Sequence, residues 1–364
     1  MASTYMPWVS FMTCVFVYTS LFVTSSLDQL VPGIYMFGDS LVDVGNNNHL
    51  PFSLLKANFP HNGIDFPTGK PTGRFSNGKN NADFLAEKLG LPTGPPYLSL
   101  SRNLEQAPLT GVSFASGGAG ILNETHELYN QTISLSQQVE YYSLVYDQLV
   151  QQLGLPGAQA HLEKSLFMIV IGSNDILTYF KKDSNVSKRY TPQQYVDLMA
   201  STLDPLLKSL HELGARKFVV TGVGNIGCCP VLRKQNAAYD CKADLNYWAA
   251  KYNDGLKILL KSFKSESSEI NYSYFDFYGA MSELIQNPQI YGITEITEAC
   301  CGLGNLKADI PCTPVSTYCP NRSNYLFWDR VHPTETVSKV FVDLLYDGSG
   351  QFTFPMNVEQ LVGL

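Results

Sequence analysis

Five short runs of branched and aromatic residues punctuate the chain, at 33–37, 111–115, 166–171, 217–221 and 270–277. Several are apolar throughout rather than alternating, which is the pattern of strands buried on both faces. Helix-like stretches lie between them at 80–89, 135–153, 192–213 and 243–263. Strands alternating with helices predict right-handed βαβ units on one mainly parallel sheet. The expected fold is a three-layer α/β/α sandwich, with no internal repeat and no low-complexity linker. In such sheets ligands bind beyond the carboxyl ends of the strands. A reactive residue therefore counts for more where it follows a predicted strand.

Composition narrows the class. Hydrophobic residues make up 45% of the 364 positions and charged residues 16%, enough for a large core and too apolar for disorder. A formal net charge of -7 gives no reason to expect nucleic acid as a partner. The first 26 residues contain no acidic or basic side chain, and 8–23 is largely apolar before Thr24-Ser25-Ser26. This predicts a secretory signal peptide over 1–26, cut near Ser25 or Ser26, and a single domain over 27–364. A membrane anchor is the rival reading of 1–26. The apolar run is shorter than the roughly 20 residues a span needs, so no stable anchor is expected.

Export agrees with two further features. Asn123, Asn130, Asn185, Asn271 and Asn321 head Asn-x-Ser/Thr triplets and are candidate N-glycan sites. Of eight cysteines, Cys14 falls in the leader. Cys228, Cys229, Cys241, Cys300, Cys301, Cys312 and Cys319 cluster near the other end. Vicinal pairs lack the C-x-x-C spacing of structural zinc, so disulfides stapling long loops are expected in an oxidising compartment. Seven is odd, which leaves one thiol free.

Four segments carry candidate chemistry. Phe37-Gly38-Asp39-Ser40-Leu41-Val42-Asp43 places Ser40 just past the first strand, at the expected start of a helix. A helix start supplies free N–H groups for a developing oxyanion, but also suits a plain N-cap serine. Asp329 stands three residues before His332. A neutral imidazole activates a serine hydroxyl, and an acid fixes its tautomer. Ile171-Gly172-Ser173-Asn174-Asp175 follows the strongest strand, so Asn174 can aim an amide at an oxyanion or simply end the strand in a turn. Glycines in 111–120 allow close backbone approach to a substrate oxygen, or form an ordinary turn.

Together, in this order after successive strands, these segments resemble the plant-type GDSL esterase/lipase family of SGNH hydrolases. The resemblance extends to Asn62-Gly63-Ile64-Asp65-Phe66-Pro67, to Pro71-Thr72-Gly73-Arg74-Phe75-Ser76-Asn77-Gly78, to Ala299-Cys300-Cys301-Gly302 and to Tyr325-Leu326-Phe327-Trp328-Asp329. It implies a flavodoxin-like fold with a mainly parallel five-stranded sheet. It implies Ser40 as nucleophile, with Asp329 and His332 completing the triad. The implied oxyanion hole is the Ser40 N–H, Asn174 and Gly118, with Gly117 the neighbouring alternative. Ser113 departs from the family's usual Asn in a Gly-Val-Asn-Phe-Ala run. Cys229 stands where the family commonly has a single Cys before Pro, which makes it the candidate free thiol.

The expected activity is a secreted hydrolase of small-molecule or lipid carboxylic esters, with no cofactor and no metal. Acyl transfer to an alcohol is the alternative, and a secreted binding protein without catalysis is the remaining one. Gly222-Val223-Gly224-Asn225-Ile226-Gly227 matches a dinucleotide fingerprint formally. It sits after the fourth strand and runs into Cys228-Cys229-Pro230, so a loop beside the cleft is expected instead. No G-x-S-x-G elbow is present. His49, His61, His126, His161 and His211 are expected to be surface or structural. Segments 50–59 and 285–296 are candidate apolar walls of the cleft.

Overall fold

The computed structural model describes Met1 and residues 29–100, 106–128 and 131–364. The expected leader, with Cys14, and the Asn130 triplet lie outside the described residues. In chain order the first elements are β1 (Ile34–Gly38), α1 (Asn81–Lys88), α2 (Leu135–Lys164), β2 (Leu166–Val170), α3 (Ser173–Tyr179) and α4 (Pro192–Glu212). Then come β3 (Lys217–Thr221), α5 (Pro230–Arg233), α6 (Ala243–Glu266), β4 (Asn271–Phe275), α7 (Phe277–Gln286), β5 (Glu295–Ala299) and β6 (Cys301–Gly302). The last are β7 (Thr317–Tyr318), β8 (Tyr325–Phe327), α8 (Glu335–Tyr346), β9 (Thr353–Phe354) and α9 (Val358–Val362).

The main sheet has five strands in the order β1-β2-β3-β4-β9. β1 to β4 are parallel, in continuous register from Ile34 beside Leu166 to Thr221 beside Phe275. Their uniformly apolar sequences fit a sheet covered on both sides. Side chains alternate between two cores as the pleat requires. Tyr35, Phe37, Phe167, Ile169, Phe218 and Val220 meet Tyr142 of α2, Met199 of α4 and Leu256 of α6. Ile34, Met36, Leu166, Met168 and Val219 meet Leu85 of α1, Leu284 of α7, Phe341 of α8 and Leu361 of α9. The result is the expected three-layer α/β/α sandwich.

Two expectations change. The fifth strand is β9, antiparallel to β4, which the sequence reading did not identify. Segment 111–115 runs along the outer edge of β1 without forming a regular strand. Met36 donates to Val112 O and Phe114 donates to Met36 O. On its other side Ser113 N donates to Pro95 O and Tyr97 N donates to Ser113 O. Gly111 permits the approach, because a Cβ there would sit 1.8 Å from Ile34 O. Counting this segment, the run order is 2-1-3-4-5, the flavodoxin-like arrangement with its switch point beside β1. The helices match closely, except that the second runs on to Lys164 through a break at Gly154.

Candidate active site

The site lies where a doubly wound sheet predicts it, beyond the carboxyl end of β1 at the switch point. Ser40 follows β1 in a single turn closed by Val42 N and Asp43 N donating to Asp39 O. No helix starts there, contrary to expectation. Asp43 instead turns its carboxylate back to accept Gly45 N and Asn46 N, and a short 3-10 helix begins only at Asn46.

The acid–base pair arrives from the other end of the chain. β8 leads into Trp328, whose indole donates to Asn62 Oδ1 at 2.9 Å. Trp328 N donates to His332 O at 2.8 Å, closing the turn that presents Asp329 and His332. Asp329 Oδ1 accepts the Val331 and His332 N–H groups, each at 2.9 Å. Asp329 Oδ2 lies 2.7 Å from His332 Nδ1, and His332 Nε2 lies 2.7 Å from Ser40 Oγ. The Phe75 ring rests against the imidazole at 5.0 Å. Burial acts to push the Asp329 carboxyl up. The His332 charge, its hydrogen bond and the two N–H donors outweigh that and hold it below the ordinary range.

The expected oxyanion groups converge on the same place. Gly117 N donates to Asp43 Oδ2 at 2.9 Å and is spent there. Among the described residues neither Gly118 N nor Ser40 N meets a protein acceptor. Of the two adjacent glycines, Gly118 therefore has the free donor, at a φ of 83° that suits glycine. Asn174, at the start of α3, donates through Nδ2 to Ala119 O at 3.0 Å and to Asp39 Oδ2 at 3.4 Å.

Side chains that sequence reasoning passed over hold this loop. Asn46 Nδ2 donates to Ser113 O and Ala115 O, and Asn47 Nδ2 donates to Gly117 O and Leu55 O. Asp175 accepts Ile121 N, Leu122 N and the Thr125 hydroxyl. Gln138, inside α2, brackets Gly38 through both its N–H and its carbonyl. The departure at Ser113 leaves the loop clamped, since Asn46 grips the Ser113 carbonyl itself. Asn46-Asn47, one short loop after Ser40, and Asp175, directly after Asn174, were the available signals. Burial pushes the Asp39 carboxyl up to about 7, and Asp43 and Asp175 up to about 6 against their N–H donors.

A cavity of about 350 Å³ opens on Ser40, Gly118, Asn174 and His332. Leu54, Phe59, Leu177, Ile226, Phe277 and Met281 give it a largely apolar wall. Segment 50–59 lines it as expected. Segment 285–296 does not, because Ile285, Tyr291 and Ile296 pack onto the core beneath the sheet. Gly224 and Ile226 place the fingerprint-like loop in the cavity wall. Cys229 also lines the cavity as the one free thiol among the described cysteines, its pKa pushed up to about 12 by burial. The other six form Cys228–Cys241, Cys300–Cys319 and Cys301–Cys312. His49, His61, His161 and His211 are not in the cavity wall. The His126 side chain lies outside the described residues.

A sequence profile of the GDSL-like lipase/acylhydrolase family matches residues 34–345. A GDSL esterase/lipase of Arabidopsis thaliana is 48% identical over 340 residues, covering 91% of this chain and 90% of that one. Another from the same plant is 40% identical over 351 residues, covering 93% of each. Solved structures with a distant likeness include an acetyl xylan esterase from Geobacillus stearothermophilus. It has a TM-score of 0.40 and 11% identity, covering 86% of this chain and 93% of that one. The chain belongs to the GDSL-like lipase/acylhydrolase family and is a carboxylic ester hydrolase.

Proposed function

We propose that the protein is a secreted serine esterase that works through an acyl-Ser40 intermediate. The observation that carries this reading is the unbroken hydrogen-bond chain Ser40–His332–Asp329 at the wall of an apolar cavity. His332 Nε2 takes the Ser40 proton as Oγ attacks the ester carbonyl. The imidazolium is stabilised by Asp329. The tetrahedral oxyanion accepts the Ser40 and Gly118 N–H groups, and the Asn174 amide turns a proton toward it. His332 then protonates the leaving alcohol, and water repeats the sequence to free the acid. The apolar walls suit small-molecule or lipid esters, and none of these steps calls for a metal or cofactor.

Three disulfides and the charge-free apolar leader over 1–26 support export of the 27–364 domain. Among the described residues no helix is long and apolar enough to cross a membrane. Asn123, Asn185 and Asn321 are exposed and open to N-glycans. Asn271 is half-buried in β4, with its side chain bonded to Lys264 and Glu269 O. A fluorophosphonate should label Ser40 covalently, and Ser40→Ala should lose both label and ester hydrolysis. Near-full hydrolysis by Ser40→Ala would overturn the reading.

A further inference from the structure

Two cations without a counterion line the cavity that opens on Ser40. Lys56 and Arg330 are both half-buried in its wall. Among the described residues neither the ammonium nor the guanidinium hydrogen-bonds or ion-pairs with a protein group. Most of the chain's other buried or half-buried cations do find a partner, half-buried Lys242 excepted. Arg74 forks onto Asp83, Arg322 forks onto Asp65, and Arg233 donates to Cys228 O and Tyr239 O. The lack of a partner at Lys56 and Arg330 does not reflect a general excess of positive charge, since the net charge is -7.

The two carboxylates in the same wall do not neutralise this pair. Asp329 is committed to His332. Asp39 accepts Leu41 N and faces Asn174, and burial drives it toward its neutral form. An unpaired guanidinium beside apolar walls attracts an anion more strongly than it would in water. Its planar fork also matches carboxylate and phosphate oxygens. Placement in the chain adds a direction. Arg330 lies within the short loop that presents Asp329 and His332. His332 must hand its proton to the leaving oxygen, so the alcohol moiety departs past that loop.

We infer that the cavity contains an anion subsite, in which Lys56 and Arg330 bind a phosphate or carboxylate carried on the alcohol moiety of the ester. The inference rests on the reading of Ser40 as nucleophile. The acyl group is left to the apolar wall around Ile226, Phe277 and Met281. The preferred substrates are esters of anionic alcohols rather than neutral ones.

The test uses matched, monomeric esters and the purified full-length protein. 1-Butyrylglycerol 3-phosphate is compared with 1-butyrylglycerol, and O-butyrylglycolate with O-butyrylglycolamide. The anionic member of at least one pair should show kcat/KM higher by roughly tenfold, with the advantage shrinking as salt screens it. The pair that shows it identifies phosphate or carboxylate as the group recognised. Arg330→Gln and Lys56→Gln should each shrink the ratio, mainly through KM of the anionic ester. Arg330→Lys should restore part of it, and melting temperatures should stay close to that of the parent. Ratios near one for both pairs, with hydrolysis of the neutral esters abolished by Ser40→Ala, overturn the subsite alone. Hydrolysis that survives Ser40→Ala overturns the nucleophile and the subsite together.

Discussion

Asp43 Oδ2 accepts the Gly117 N–H at 2.9 Å, tying the turn that carries Ser40 to the loop that carries Gly118. The bond consumes the donor next to Gly118, whose own N–H, in the cavity wall, has no protein acceptor among the described residues. In Asp43→Asn, an amide N–H₂ meets backbone donors at one of the two oxygen positions. A shift of about 1 Å in a reacting group can cost on the order of 100-fold. We expect kcat per titrated active site to fall about 10- to 100-fold, with KM changed far less. Slow fluorophosphonate labelling should persist, because Ser40 and His332 are untouched. A loss confined to melting temperature, with kcat intact, would reduce Asp43 to a structural role.

Asn174 tests transition-state binding more directly. Its Nδ2 already has Ala119 O as a firm acceptor, and the longer contact to Asp39 is the one an oxyanion can displace. Removing one such donor typically costs about 100- to 1000-fold in turnover. Asn174→Ala should show that loss in kcat with little change in KM. Unchanged kcat beside a lowered melting temperature would mean that the side chain only supports α3.

Asp39 gives the fold a specific pH signature. Burial raises its carboxyl to about 7, and the charged groups facing it are His332, Asp175 and Asp43. A raised carboxyl holds its proton in the folded state after the unfolded chain has lost it. Its contribution to stability is therefore complete below about pH 4 and lost as pH rises through about 7. Between about pH 5 and about pH 8 the parent's melting temperature should fall relative to that of Asp39→Asn. Comparing the two proteins cancels the other titrating groups. A difference that does not change with pH would mean that Asp39 is not protonated in the fold.

The disulfides hold the walls of the site. Cys301–Cys312 anchors the segment whose Pro311 and Thr313 line the cavity. Cys300, bonded to Cys319, donates its N–H to Phe327 O just before the Asp329–His332 loop. Removing a native disulfide commonly costs about 2–5 kcal/mol. Replacing Cys300 and Cys319 together by alanine should lower both the melting temperature and kcat. Denatured but unreduced secreted protein should titrate one thiol per chain, that of Cys229, which is largely buried in the folded state. More than one thiol would contradict the pairing.

Much of this was legible beforehand, and the particular residues show why. The runs at 166–171 and 217–221 read correctly as strands because a strand covered on both faces needs side chains that are apolar throughout. β9 was missed because two residues carry no periodicity, and it exists only because β4 offers an edge. Segment 285–296 looked like cleft wall because an apolar stretch is the same whether it faces a ligand or a core.

The sequence by itself determined the candidate reacting groups and their order: a serine after the first strand, Asn174 after a later one, and Asp329 with His332 in one short turn. These are local facts, carried by residue type and spacing. Only the tertiary structure decided which donors remain available to a substrate. Most buried N–H groups pair with an acceptor elsewhere in the molecule, so freedom at one position depends on distant partners. Gly117 spends its N–H on Asp43, while among the described residues the Gly118 N–H has no protein acceptor. Arg74 finds Asp83, while Arg330 finds no counterion among the described residues. No window of sequence contains that accounting, because it closes only when the whole chain has folded.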